Sequence, residues 1–208
     1  MIVSQYCFAI YPIVTKMMGA NVIEVPAREL AHNLDAMLAA VTPQTKIMFV
    51  ANPNNPTGTQ AREHELETLI DTIPEDVMLV LDQAYAEYLE PEEADGGFAL
   101  AANAANVLIT RTFSKIYGLA GERIGWATGA PELIDVLNRI RGPFNVTAGG
   151  QRAAIAAVND HGFVTRSREA NREERKRFTQ AIEALGNHGL RAVPSKANFV
   201  LVLFEGAL

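Results

Sequence analysis

The stretch TRTFSKIYGLAGERIGW, residues 110–126, sets a lysine behind two hydroxyl side chains and ahead of an arginine. Lys115 follows Thr112 and Ser114, and Arg123 comes eight positions later, beyond a Gly-Leu-Ala-Gly turn. A primary amine so placed can attack a carbonyl and carry a proton. Hydroxyls and a planar guanidinium can together hold an anion, phosphate above all. A lysine just past a strand can equally be a solvated loop residue, so the choice depends on what else points at the same spot. Two further stretches bear on it. NPNNPTG, residues 52–58, follows the apolar run KIMFVA and sets Asn55 among prolines. DQAY, residues 82–85, follows VMLVL, with Tyr85 three positions after Asp82. Taken singly, the first reads as a tight turn and Asp82 as a helix cap. A carboxylate ending a buried apolar strand must nevertheless be paired or hydrogen-bonded to stay ionised.

The elements that must position these groups are legible as an alternation. Apolar, β-branched runs at 21–25, 46–50, 77–82, 106–111 and 124–129 predict buried strands. Helical patterns at 33–41, 61–72 and 97–104 lie between them, and the opening IVSQYCFAIYP reads as a strand and a helix. Such alternation predicts an α/β fold with a mostly parallel sheet covered on both faces. In these sheets ligands bind beyond the carboxyl ends of the strands. From Pro131 the pattern changes to a Pro-started helix, a second helix at about 150–159, a long one at about 162–186, and the strands RAV and NFVLVLF. The expected organisation is a large domain over 1–130, a helical bridge over 131–160 and the start of a smaller C-terminal α+β domain over 161–208. Both ends read as cut, because the chain opens directly in a strand and stops soon after one.

With the three stretches at strand ends, the groups match the needs of pyridoxal 5′-phosphate. Its aldehyde takes a lysine amine, which Lys115 offers. Its ring acts as an electron sink only while the pyridine nitrogen is protonated, and Asp82 is the carboxylate for that. Asn55 and Tyr85 suit the phenolic oxygen, and Thr112, Ser114 and Arg123 suit the phosphate.

NPNNPTG, DQAY and TFSKIYGLAGERIGW resemble the three signatures of fold-type I, class I/II aminotransferases. SQYCFAIYP, RGPFNV and PSKANFVLV narrow the resemblance to the middle of the histidinol-phosphate aminotransferase family. The resemblance implies the large domain of that fold, with Lys115 as internal aldimine and proton shuttle. It also implies Asp82 on the pyridinium, Asn55 and Tyr85 on the phenolic oxygen and Arg123 on the phosphate. By position Phe8 resembles the aromatic residue that stacks on the ring, although core packing explains a phenylalanine there equally well. The implied reaction is a ping-pong exchange between histidinol phosphate and 2-oxoglutarate, giving imidazole acetol phosphate and glutamate, in histidine biosynthesis. The full-length family member is expected to be a homodimer whose pocket draws further donors from segments outside this chain. An aromatic amino-acid aminotransferase, a threonine-phosphate decarboxylase of the same fold, and a non-catalytic cofactor-binding module remain alternatives.

Composition bounds the rest. The 208 residues are 49% hydrophobic and 20% charged, an ordinary globular balance. A net charge of −6 argues against a nucleic-acid partner, and no apolar run is long enough to suggest a membrane span. The single cysteine, Cys7, allows no disulfide within the chain and points to a cytoplasmic setting. The four histidines, at 32, 64, 161 and 188, fall in no metal-ligand spacing, and GLAGERIG is not a dinucleotide fingerprint. RSREANREERKRF, residues 166–178, alternates in sign and reads as a solvated helix face, with Glu173 set to pair with Arg177.

Overall fold

Runs that are apolar on both faces, IMFVA, MLVLD and VLITRT, become adjacent interior strands, because only a sheet covered on both sides can bury such segments completely. The computed structural model describes residues 1–94, 96–102 and 104–204. Residue 103, within an expected helix, and residues 205–208, within the last expected unit, lie outside the described residues. In chain order the elements are β1 (Ile2–Ser4), α1 (Ile10–Met17), β2 (Ile23–Val25), α2 (Leu34–Ala39), β3 (Ile47–Ala51), α3 (Glu63–Thr72) and β4 (Met78–Asp82). Two short helices follow, α4 (Pro91–Ala94) and α5 (Gly96–Ala102), then β5 (Val107–Thr112) and β6 (Gly125–Gly129). The remainder is α6 (Pro131–Ile140), α7 (Ala148–Asn159), α8 (His161–Glu183), β7 (Leu190–Ala192) and β8 (Val202–Phe204).

The main sheet runs β2-β1-β3-β4-β5-β6. Its first five strands are parallel, and β6 returns antiparallel against β5, so the sheet is mostly parallel and mixed. Period-two alternation divides its two faces. Met48, Val50, Leu79, Leu81, Val107 and Ile109 face Met37, Leu66 and Leu69 of α2 and α3 in the principal core. Phe49 and Ala51 turn the other way, toward Val3 of β1 and Tyr11 of α1. Among the described residues no helix is long and apolar enough to cross a membrane.

The C-terminal part differs from its expected outline in three ways. NFVLVLF contributes only Val202–Phe204 as strand, paired antiparallel with β7, while Asn198 and Phe199 turn back toward the main sheet. On α8, Glu173 does not pair with Arg177. Arg177 takes Glu174, one turn back, through Nε at 2.9 Å and Nη2 at 2.6 Å, and Glu173 lies 3.8 Å from Arg172. Both i,i+3 and i,i+4 are helix neighbours, and the two-pronged contact decides between them. Nor is the charged run wholly given to solvent. Arg168 donates to the Glu87 carbonyl at 2.9 Å, and Arg175 to the Ala197 carbonyl at 2.8 Å, so α8 is stitched to the body by its own cations.

One buried polar knot braces the sheet beneath the site. Arg111 of β5 is 8% exposed; its guanidinium donates twice to Gln83 Oε1, at 3.1 and 2.9 Å, and once to Glu87 at 3.3 Å. Its plane lies 4.2 Å from the Phe98 ring centroid, and Phe98 in turn stacks on Trp126 of β6. Burial pushes the Glu87 carboxyl up, and the adjacent Arg111 pulls it back down. Removing one partner would strand a buried charge. Arg111→Ala is therefore expected to lower stability by about 3–5 kcal/mol, whereas Lys46→Ala, which breaks the exposed Lys46–Asp76 pair, costs at most about 1 kcal/mol. Urea unfolding of both variants checks this, and equal losses would show that the knot is not a buried ion pair in energetic terms.

Candidate active site

The parallel register brings the polar groups together. Ala51 lies opposite Asp82, and Asp82 opposite Thr110, so β3 and β4 end level with one another and β5 runs two residues further, to Thr112. Backbone bonds carry the ladder one step further, from Asn52 N to the Asp82 carbonyl and from Gln83 N to the Thr110 carbonyl, both 2.9 Å. The loops that leave these ends hold the predicted residues. In the first, Asn54 donates to the Tyr6 carbonyl at 2.7 Å and to Thr57 at 2.9 Å, and Asn52 accepts from Ala61 N at 2.8 Å. Gly58 sits at φ +73°, and Ser195 occupies the space where a β-carbon would stand. With the turn fixed from within, Asn55 is left to reach outward, and its Nδ2 donates to the Tyr85 hydroxyl at 3.2 Å.

Asn55 and Tyr85 border a recess of about 80 Å³ shared with Phe8, Tyr11, Ala51, Pro53, Asp82, Ala84 and Lys115. Lys115 Nζ lies 4.9 Å from the Tyr85 ring centroid, and among the described residues no carboxylate pairs with it. Asp82 does not cap a helix. Its Oδ1 accepts from Ala84 N, two residues on, at 3.1 Å, and its Oδ2 accepts from the Tyr11 hydroxyl at 2.6 Å. Phe8 is 41% exposed and meets Tyr11 edge-on, so it is a wall of the recess and not a core residue. Phe199, from the chain's last segment, meets Tyr85 edge-on at 5.3 Å.

Thr112, Ser114 and Arg123 form a second cluster next to Lys115. Thr112 Oγ1 accepts from Ser114 N at 3.0 Å, and Arg123 Nη1 donates to Ser114 Oγ at 3.2 Å and to the Ala120 carbonyl at 2.8 Å. Arg123 holds this position from a left-handed backbone, φ +54°, which is uncommon for a residue with a side chain and costs strain of order 1 kcal/mol or more. Larger hollows lie elsewhere, among them one of about 800 Å³ beside Phe144 and one of about 500 Å³ beside Met18. Neither lining contains both an amine and a carboxylate, so size does not locate the chemistry here.

The donor set fits pyridoxal phosphate. Each Asp82 oxygen accepts one bond where a carboxylate oxygen accepts about two, leaving acceptor capacity for a ring N–H. The amide and phenol of Asn55 and Tyr85 already meet at one point, and an amine, an aromatic wall and a hydroxyl–guanidinium cluster adjoin them. Sequence reasoning missed Tyr11. Its signal was faint, the i,i+3 spacing of Phe8 and Tyr11 at a helix start, which reads as apolar packing. It also missed the approach of Ser195 and Phe199, which no local pattern announces.

Comparison with known proteins agrees with this geometry. Residues 1–207 match the family described as aminotransferase class I and II. The chain is 62% identical over 205 residues to the histidinol-phosphate aminotransferase of Erythrobacter litoralis (strain HTCC2594), covering 99% of this chain and 56% of that protein. It is 53% identical to the protein of that name from Zymomonas mobilis, covering 98% of this chain and 55% of that one. The chain thus spans about half the length of the curated relatives it matches. The crystal structure of histidinol-phosphate aminotransferase from Sinorhizobium meliloti in complex with pyridoxal 5′-phosphate superposes with a TM-score of 0.90 at 31% identity. That superposition covers 97% of this chain and 54% of that one. A single family match over nearly all residues, a fold shared with its solved members and the convergence of Lys115, Asp82, Asn55 and Tyr85 lead to one assignment: the chain belongs to the class I and II aminotransferase family.

Proposed function

We propose that this chain supplies the cofactor anchor and the proton-transfer machinery of a pyridoxal-phosphate-dependent aminotransferase. Its substrates are histidinol phosphate and 2-oxoglutarate, with imidazole acetol phosphate and glutamate as products, in histidine biosynthesis. The observation that carries the reaction class is the recess in which an amine, a doubly hydrogen-bonded carboxylate and an amide–phenol pair meet. The substrate rests on the identity to relatives of that name. A homodimer in the full-length protein and a cytoplasmic setting are part of the same reading, the latter supported by the lone unpaired cysteine.

When bound, the cofactor supplies an electron sink for the pair of electrons released at the substrate carbon. Each residue has a task suited to its place. Lys115 offers the amine that tethers the group and afterwards holds or gives up a proton at Nζ, with the Tyr85 ring beneath it. Asp82, held in place by two donated hydrogen bonds, is the carboxylate that would stabilise a protonated ring nitrogen. Asn55 and Tyr85 orient the phenolic oxygen. Arg123, Ser114 and Thr112 face the phosphate with a guanidinium and two hydroxyls. Phe8 closes the recess wall and excludes water from one side.

Borohydride reduction of cofactor-treated protein, followed by peptide mapping, is expected to tag Lys115; a tag on Lys16, Lys46 or Lys196 would sink the assignment. Asp82→Ala should keep that covalent link while losing about a hundredfold or more in turnover, and full turnover would show that the carboxylate serves only its local turn. Arg123→Lys is expected to weaken cofactor retention about tenfold or more, because an ammonium cannot replace the two-pronged contact. Unchanged retention would make the arginine structural. Assays with histidinol phosphate, phenylalanine and threonine phosphate separate the substrate alternatives, and uptake without turnover of any of them would favour a non-catalytic module.

A further inference from the structure

Tyr11 has chemistry that packing alone does not require. Its ring is 4% exposed, stacked on Phe49 at 4.6 Å and 12°, and met edge-on by Phe8 at 5.7 Å. A phenylalanine would fill that space as well. The hydroxyl instead donates to Asp82 Oδ2 at 2.6 Å, a length typical of a strong bond to an ionised carboxylate. The opposite oxygen, Oδ1, is held by Ala84 N. One donor on each oxygen fixes the carboxylate's rotation, so that its remaining acceptor directions are set by the protein and not by the ligand.

We propose that Tyr11 is a positioning residue for Asp82, setting both its orientation toward the recess and the share of its charge left for a bound pyridine nitrogen. This rests on the cofactor reading given above. The phenol draws off part of the carboxylate's negative charge, and what remains acts on the ring proton and, through the ring, on the Lys115 nitrogen. The other groups around Tyr11 do not compete for the role: Cys7, packed beside it, and Tyr85, in the recess, are weak acids, and among the described residues Thr15 Oγ1 bonds the Tyr11 carbonyl and the Met1 sulfur. Burial first, then the Asp82 charge and the bond to it, raise the Tyr11 phenol far above its ordinary value, so it stays a donor throughout the working range.

The experiment has two arms on the full chain. In the cofactor-free protein, the unfolded phenol ionises near pH 10 while the folded one keeps its proton. The folded state then binds more protons than the unfolded one, so the folding constant falls as pH rises past about 10, by about tenfold per unit from this group alone. Tyr11→Phe should lack that component, and identical alkaline profiles would show that the phenol is not held. In cofactor-loaded protein, the pH midpoint of the bound chromophore's absorbance should rise by roughly half a unit or more in Tyr11→Phe, because the unshared carboxylate favours the protonated form. Difluorotyrosine at position 11 keeps the packing, is a stronger donor, and should move the midpoint the opposite way, which also covers a Tyr11→Phe protein that folds poorly. Full cofactor uptake with unmoved midpoints in both variants would reduce Tyr11 to packing and leave the cofactor reading intact. A parent protein that takes up no cofactor would overturn that reading, and the role of Tyr11 with it.

Discussion

Everything at the site depends on the shared register of three parallel strands. Because Ala51, Asp82 and Thr110 lie in register, the loops after β3 and β4 leave the sheet at one height, and β5 runs on two residues to Thr112 before its loop leaves the same edge. A slip of one residue would turn Asp82 to the other face of the sheet and bring a leucine or a glutamine to the recess. The register is held by the interior itself. Met48, Val50, Leu79, Leu81, Val107 and Ile109 share one core cluster, and none of them can change sides without exposing that whole row. The chemistry of the loops is thus inherited from the packing of the strands behind them.

That dependence explains where the molecule places its costly features. A buried guanidinium, a buried glutamate and a left-handed arginine are each unfavourable in isolation. All three lie on or beside β5 and the turns next to it, where Arg111 and Glu87 tie the Asp82 loop to the strand leading to Lys115 and Arg123 ties the turn after Lys115 to Ser114. Arg111 joins Gln83 and Glu87, so the strand before the lysine and the turn after the aspartate share one fixed group. Hydrophobic contacts alone would allow these segments to slide; directional bonds to a planar guanidinium do not.

Much of this was legible in the chain. Asp82 stood out because a carboxylate has no reason to end an apolar strand unless it is used, and Lys115 because hydroxyls and an arginine surround it in sequence. Periodicity could locate β6 but not its direction, since alternation reads the same for a parallel or an antiparallel neighbour. Tyr11 was hidden for a different reason. Its partner is 71 positions away, and an aromatic residue inside an apolar helix looks like core until the hydroxyl's neighbour is known. The charged face of α8 likewise looked solvated because the carbonyls its arginines reach, at Glu87 and Ala197, belong to other parts of the chain. Local signals gave the elements and the reactive residues; the contacts that orient them are long-range and carry no local mark.

The clasp between Gly58 and the late segment has a consequence for how the site comes into being. Lys196 N donates to the Gly58 carbonyl at 2.8 Å, and Ser195 fills the hollow left by the missing β-carbon. These contacts close one of the longest loops in the fold, and closure entropy must be met before such a contact contributes anything. During synthesis the sheet and its core can form while Ser195 is still unmade, so the turn bearing Asn55 acquires its outer brace later than they do. In assembly order, the carboxylate and the amine precede the contact that braces the turn bearing the amide.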